Sequence, residues 1–367
     1  MSYLYEHLGS TFFYSLILIF SVLFAFLAQI VKSKSVGNIL VTFVTLTLAL
    51  PAGLRDVSVG IDTPNYFLII NSADKFYIGE LYYTYYEIGF QWVIKSLISI
   101  LKDPHYVLMV IALVTITLIV RTLWFFRDRI SFSLSVFLYV CMQYFSSYNT
   151  SRQWLAIAIS FFATRYLFDG KYLKFSILVL VSSLFHGSAL ICLLFIPLHM
   201  LMVKKITLKY KIFTILLLVT FTLFNNYILD ILGVTSTLEK YQYYLDGGSQ
   251  TNGIGIMFII RLLAIVTAIW LLVTNRYKFK DKNFIKTIIA LYILGLFSMF
   301  LGYLFIFAVR LGAYANIYGI ILFSMIAKSP FAVLIKPTVV LIGLYLFFSG
   351  LSNSSQGHMP YKVFFDF

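Results

Sequence analysis

The chain has 367 residues, 61% of them hydrophobic and 11% charged, with a formal net charge of +14 and a mean hydropathy of +0.92. Length alone would suggest two or three soluble domains, but repeated apolar runs of roughly 18–20 residues exclude that and select a polytopic membrane protein. The basic residues sit in short loops between those runs, as in the cytoplasmic loops of membrane proteins, so the charge implies no nucleic-acid partner.

The runs are continuous rather than alternating, which selects helices over a barrel. The N-terminal "MSYLYEHLGS" lacks a basic n-region, and no A-x-A site follows, so the first run reads as a retained span. That span, about 11–31, ends at Lys32 and Lys34, which places the N-terminus outside. The second, about 36–54, delivers "GLRDVSVGIDTPNY" (Gly53 to Tyr66) to the outer side. An external loop is expected over 53–104.

Segment 86–101, "YEIGFQWVIKSLISIL", is short and carries Glu87, Gln91 and Lys95 at i, i+4, i+8. If it crossed, every later basic loop would be inverted. It therefore reads as an amphipathic helix on the outer surface, or a re-entrant one. Spans follow near 105–122, 131–148 and 151–168. Lys171 and Lys174 precede, and Lys204 and Lys205 follow, the stretch 174–203, so a short helical hairpin turning at "FHGS" (Phe185 to Ser188) is expected there. Further spans near 211–231, 256–274, 285–307, 311–327 and 331–349 make roughly twelve crossings with both termini outside. A glycine-rich external loop spans 232–255. With no linker or repeat, the chain reads as one all-α integral membrane domain, 1–367.

This topology leaves Arg55, Arg152, Arg261 and Arg310 at or below the outer surface. A charge at membrane depth costs about 2.5–3.5 kcal/mol even on insertion scales, so four on the disfavoured side need a reason. Local carboxylate pairing or snorkelling is one. A diphosphate is the other, because the guanidinium fork matches phosphate oxygens and keeps its proton. Asp56, Asp62, Asp74, Glu80 and Glu87 lie on the same side. Asp62 serves either as a general base or as an Asx-turn residue, and Glu87 as a catalytic carboxylate or a helix cap. Tyrosines at 82–86 and 241–244 fit an interfacial belt or sugar-packing platforms. Cys141 and Cys192 fall inside apolar runs and read as buried hydrophobes, and no spacing suggests a metal site or cofactor.

"GLRDVSVGIDTPNY" resembles the R-x-x-x-x-G-x-D-T-x-x-Y stretch of the EpsG group of bacterial exopolysaccharide proteins, which are similar in role to Wzy-type polymerases. "YEIGF" (Tyr86 to Phe90), "SRQWLAIAI" (Ser151 to Ile159), "LFHGSAL" (Leu184 to Leu190), Arg310 with Tyr314, and the tail "MPYKVF" (Met359 to Phe364) follow in the same order. The resemblance covers nearly the whole chain. It implies a glycosyltransferase of the bacterial cytoplasmic membrane, with its active site facing outside. Such an enzyme transfers a growing glycan from undecaprenyl diphosphate to a new lipid-linked repeat unit and needs no nucleotide sugar or metal. Its partners are the lipid-linked donor and acceptor, membrane lipid and a chain-length regulator.

Within that reaction Arg55, Arg152 and Arg310 are expected to clamp the departing diphosphate, with Arg261 a fourth ligand. Asp62 is the expected base and His186 its rival, since an imidazole titrates near neutrality. Gln153, Tyr66, Tyr314 and Tyr361 are candidates to orient sugars. A lipid-linked oligosaccharide flippase, a membrane O-acyltransferase using His186 and an O-antigen ligase remain alternatives. The ligase differs from a polymerase only in its acceptor.

Overall fold

The structure, a computed structural model, describes residues 2–79, 86–203, 216, 256–274, 281–302 and 306–365. The expected span 211–231, apart from Leu216, the loop 232–255, Glu80 and the tyrosines at 82–85 lie outside them. Every regular element among the described residues is helical, and the one β-contact is an isolated antiparallel bridge between Arg55 and Val363.

Among the described residues, five helices are long and apolar enough to cross a membrane: Leu8–Ile30, Lys34–Gly53, Pro104–Phe125, Lys282–Leu301 and Ala332–Asn353. Ala308–Asn316 and Tyr318–Ile326, bent by 42°, make a sixth if counted as one span. The sequence suggested roughly twelve crossings. The counts differ partly because several apolar runs are built from shorter pieces. The run 131–148 breaks at Gln143 into Phe132–Met142 and Tyr144–Asn149. The stretch 174–203 divides into Tyr172–Ser183 and a second leg, Gly187–Val203, that begins as a 3-10 helix.

Local chemistry sets the boundaries. The Ser33 hydroxyl caps Lys34–Gly53 by accepting from Val36 N–H. Asp103 caps Pro104–Phe125 by accepting from His105 N–H, with proline at the first helical position, where its missing N–H is harmless. Lys102 adopts φ 63° and ends Ile88–Leu101, so the two helices meet at a sharp corner.

The chain folds into two compact units: Met1–Phe162 with Leu184–His186 and Phe323–Phe367, and Ala163–Ser183 with Gly187–Leu322. In the first, Leu8–Ile30 packs on Lys34–Gly53, which packs on Pro104–Phe125. Phe132–Met142 joins Leu8–Ile30 to Ala332–Asn353. The short helices Thr63–Asn71 and Ile88–Leu101 lie against Pro104–Phe125 around a core of Tyr66, Ile70, Phe90, Ile94 and Ile111. In the second unit Lys282–Leu301 is central, packed by Phe195–Val203, Ile256–Val273 and Ile306–Asn316.

The first unit has two chemically distinct poles. At one, Gln29 Oε1 accepts from Ser133 N–H (3.2 Å), and Lys328 donates to the Arg127 carbonyl (3.4 Å). Lys32, Lys34, Arg127 and Arg129 flank these contacts in sequence. At the other, the C-terminal tail gathers three helix ends. Tyr14 OH donates to His358 O (2.8 Å), Tyr361 OH donates to Pro51 O (3.0 Å), and His105 stacks on Phe364 at 4.3 Å. The start of Leu8–Ile30 and the end of Ala332–Asn353 share this pole.

The helix Ile88–Leu101 has 14 residues, about 21 Å at 1.5 Å per residue, against a hydrocarbon core of about 30 Å. Its polar stripe does not face water as an amphipathic surface helix suggests. Gln91 is 4% exposed, accepts from Gly79 N–H and donates to Tyr86 O, while Lys95 donates to Phe76 O. Ile88, Trp92, Ser96, Ser99 and Ile100 are the exposed positions. The stripe holds the preceding segment, because its backbone groups need partners and these side chains supply them.

Candidate functional site

The opening loop is a knot tied by Arg55. This arginine is 3% exposed, and its guanidinium donates to the carbonyls of Val59 (3.2 Å), Tyr148 (3.0 Å) and Ala52 and to the Thr63 hydroxyl (3.3 Å). It also lies 5.2 Å from the Tyr148 ring centre. Burial lowers its pKa, and the surrounding tyrosines oppose that. Gly60 has φ 101°, a conformation that L side chains rarely adopt, and an added Cβ would come within 2.6 Å of Thr63 Oγ1.

The tail closes the knot. Asp56 N–H donates to Lys362 O (2.8 Å), Gly60 N–H to Gly357 O (2.7 Å), Ile61 N–H to Gln356 O (3.2 Å), and Phe364 N–H to Leu54 O (3.1 Å). Asp56 forms an Asx turn with Ser58; burial would raise its pKa, but the bonds from the Ser58 hydroxyl and N–H hold it below the usual carboxylate range. His358 stacks on Phe145 at 4.0 Å, and burial pushes its pKa down to about 4, so near neutrality it packs as a neutral ring. Tyr361 stacks on Phe13 at 4.3 Å, and its phenol, pushed up to about 12 by burial against the lowering effect of Arg55, is spent on Pro51 O. The structure therefore places Arg55 and Tyr361 in the framework of the loop.

Asp62 leaves this knot half-buried at the start of Thr63–Asn71, without a capping bond from its side chain. Its backbone N–H meets Asn149 Oδ1 at 3.5 Å, and Asn149 Nδ2 donates to Gln356 Oε1 at 2.5 Å. Asn149 and Gln356 were not singled out in the sequence. An asparagine ending an apolar run and a glutamine in a Ser-rich tail carry no distinguishing pattern.

Beside Asp62 stands a second cluster. Arg152, in the first turn of Ser151–Phe168, donates from NH1 to Glu87 Oε2 at 2.5 Å and lies 4.8 Å from the Tyr86 ring centre. Glu87 occupies the N-cap position of Ile88–Leu101, yet its carboxylate makes no capping bond. Its other oxygen stands 3.8 Å from His186 Nδ1, within ion-pair reach but beyond a hydrogen bond. The three side chains are 17% (Arg152), 24% (Glu87) and 8% (His186) exposed.

Leu184 fixes the approach of His186 by accepting from Phe90 N–H (3.2 Å). Gly89 permits it, since a Cβ there would come within 2.6 Å of Leu184 Cβ. Tyr66 completes the group: Arg152 N–H reaches its hydroxyl at 3.5 Å. Burial pushes the Tyr66 pKa up to about 12, with Arg152 lowering it and Asp62 raising it. Asp62 and Arg152 thus act with opposite signs on one phenol, which stays protonated at neutral pH. Gln153, the neighbour of Arg152, is 6% exposed.

The remaining expected residues belong to the second unit. Arg261 donates to Asn316 Oδ1 (2.9 Å) and to the Met299 sulfur. Arg310 is half-buried on Ile306–Asn316, one turn before Tyr314, whose hydroxyl accepts from Ser188 (3.2 Å). The four arginines divide two and two between the units. Among the described residues, no group of three or more His, Cys, Asp or Glu could hold a metal ion.

In the first unit, then, a cation, two acids, an imidazole and two phenols meet at the pole away from Lys32, Lys34, Arg127 and Arg129. Such a group can bind an anion and accept a proton. No curated protein and no solved structure matches the chain. A family model described as the EpsG family matches residues 38–363, which takes in the loop knot, the Arg152 cluster and most of the tail. The chain belongs to the EpsG family, a Wzy-like exopolysaccharide polymerase family.

Proposed function

We propose that this membrane protein polymerises oligosaccharide repeat units carried on undecaprenyl diphosphate, at the outer face of the bacterial cytoplasmic membrane. The acceptor hydroxyl attacks the anomeric carbon of the donor glycan. The bond from that carbon to the diphosphate oxygen breaks, the diphosphate leaves with the electron pair, and the hydroxyl proton passes to a base. Negative charge grows on the leaving group, and preorganised cations that meet it are worth several kcal/mol, about 2.7–4 for one well-placed donor in a comparable case.

Arg152 takes that part in the first unit, and Arg310 and Arg261 are the cations the second unit offers to substrate phosphate. Arg55 acts indirectly, by holding the loop that presents Asp62. Asp62 is the proposed base. His186 is the second candidate, favoured by its position 3.8 Å from Glu87, which would stabilise the imidazolium formed on proton uptake. Tyr66, Gln153 and Tyr314 orient sugar hydroxyls. The membrane lipid and a chain-length regulator are the proposed partners.

The observation that carries the proposal is the Arg152–Glu87–His186 group beside Asp62 and Tyr66 in a chain of this family. Its test is elongation by the purified protein, given lipid-diphosphate-linked repeat units in EDTA and no nucleotide sugar. Longer chains are the expected result. A strict need for a nucleotide sugar would make the protein an ordinary glycosyltransferase and end the proposal.

A further inference from the structure

Glu87 stands where a helix cap belongs, yet its carboxylate is not spent on the helix. It is spent on Arg152 NH1 at 2.5 Å. The pair lies at an accessible edge, with Glu87 more exposed than Arg152. The guanidinium has a second support, the Tyr86 ring at 4.8 Å, so its position does not depend on the carboxylate alone. The carboxylate has a second place to go, since His186 Nδ1 lies 3.8 Å from its other oxygen. A backbone carbonyl has no such freedom, but a glutamate turns about three side-chain bonds.

We propose that Glu87 is a resident anion: its carboxylate holds the position on Arg152 that a diphosphate takes, the two compete for the one guanidinium, and Glu87 turns towards His186 when it is displaced. Carboxylate and phosphate oxygens accept from the same planar fork, so one replaces the other without moving the arginine. The exchange keeps an anion on Arg152 throughout at a partly buried site. It also couples donor binding to the imidazole, because the displaced carboxylate moves to the residue that is second in line as base.

The inference rests on Arg152 as the diphosphate ligand, and inorganic pyrophosphate binding to the full-length protein in detergent tests the two separately. Arg152→Ala is expected to weaken binding about 10- to 100-fold. Glu87→Gln is expected to tighten it about five- to tenfold, because a competitor has been removed. Glu87→Asp keeps the charge but is one methylene shorter, so it releases NH1 and should also tighten binding. That variant separates displacement from a general loss of negative field, which Glu87→Gln alone would not, and it remains informative if Glu87→Gln does not fold.

If Arg152→Ala weakens binding while both Glu87 variants leave it unchanged or weaker, Glu87 is a structural partner and the inference fails with the arginine assignment intact. If Arg152→Ala binds as the wild type does, the diphosphate assignment itself fails. In mixed micelles, phosphatidylglycerol should displace pyrophosphate no better than phosphatidylcholine. Selective displacement by phosphatidylglycerol would assign the site to a bilayer head group and overturn the link to substrate.

Discussion

Arg55 and Arg152 reach the same pole of one unit and meet opposite fates. Arg55 donates to three carbonyls and one hydroxyl and is 3% exposed. Its partners are mainly backbone, fixed by the fold and unable to leave. Arg152 meets a side-chain carboxylate and an aromatic face at a partly open edge. Both are arginines in a greasy chain, and both look in sequence like ligands for a phosphate. The partner decides the role: an arginine saturated by backbone builds a loop, whereas one held by a side-chain carboxylate is the one proposed to exchange it.

The largest effect should come from Arg55→Ala. It strands several buried acceptors, each costing about 1–3 kcal/mol, so folded protein should be lost from detergent extracts judged by size exclusion. Arg55→Lys should rescue little, because three donors on one nitrogen do not reproduce the fork. If Arg55→Ala folds normally but loses donor binding, the distinction between the two arginines collapses.

Asp62→Asn comes next and affects turnover. Proton transfer typically contributes about 10²–10⁴-fold, so elongation should slow by that order while lipid-diphosphate binding and melting temperature hold. If Asp62→Asn polymerises normally and His186→Ala does not, the base is His186.

A smaller effect is expected from Gly60→Ala. A positive φ of 101° and a Cβ within 2.6 Å of Thr63 Oγ1 should destabilise the knot by about 1–3 kcal/mol. Thermal melting reads that loss directly, and an unchanged midpoint would show that the loop carries little of the fold. Gln356→Ala should have the least effect, about 1 kcal/mol of stability, with a modest fall in turnover through Asn149 and Asp62. The sides of the membrane are expected to follow the same poles: Lys102→Cys should label from outside and Asp128→Cys should not, and labelling of Lys102→Cys only from the cytoplasm would reverse the assignment.

Much of the helical plan was legible. Leu8–Ile30, Lys34–Gly53 and Pro104–Phe125 are long apolar runs bounded by Ser33, Asp103 and basic loops, and these signals are local. The break at Gln143 was not legible, because neither proline nor glycine stands there and Met142 and Tyr144 flank it directly. The division into two units passes through Ser151–Phe168 and the turn at Leu184–His186, where composition does not change. At the site, several residues singled out in the sequence are brought together by the fold. Arg152, Glu87, His186, Asp62 and Tyr66 do meet, although Glu87 and Arg152 are 65 positions apart. Sequence could not separate Arg55 from Arg152, because the carbonyls that occupy Arg55 belong to every residue and leave no mark in the side-chain pattern.

The central claim is that substrate chemistry belongs to the Arg152 cluster. The most direct measurement is the chain-length profile made by purified wild-type and Arg152→Ala protein from lipid-diphosphate-linked repeat units, with both proteins matched for melting temperature. The account predicts a ladder of polymer from the wild type and, for Arg152→Ala, unconverted single units. A normal ladder from folded Arg152→Ala would contradict it.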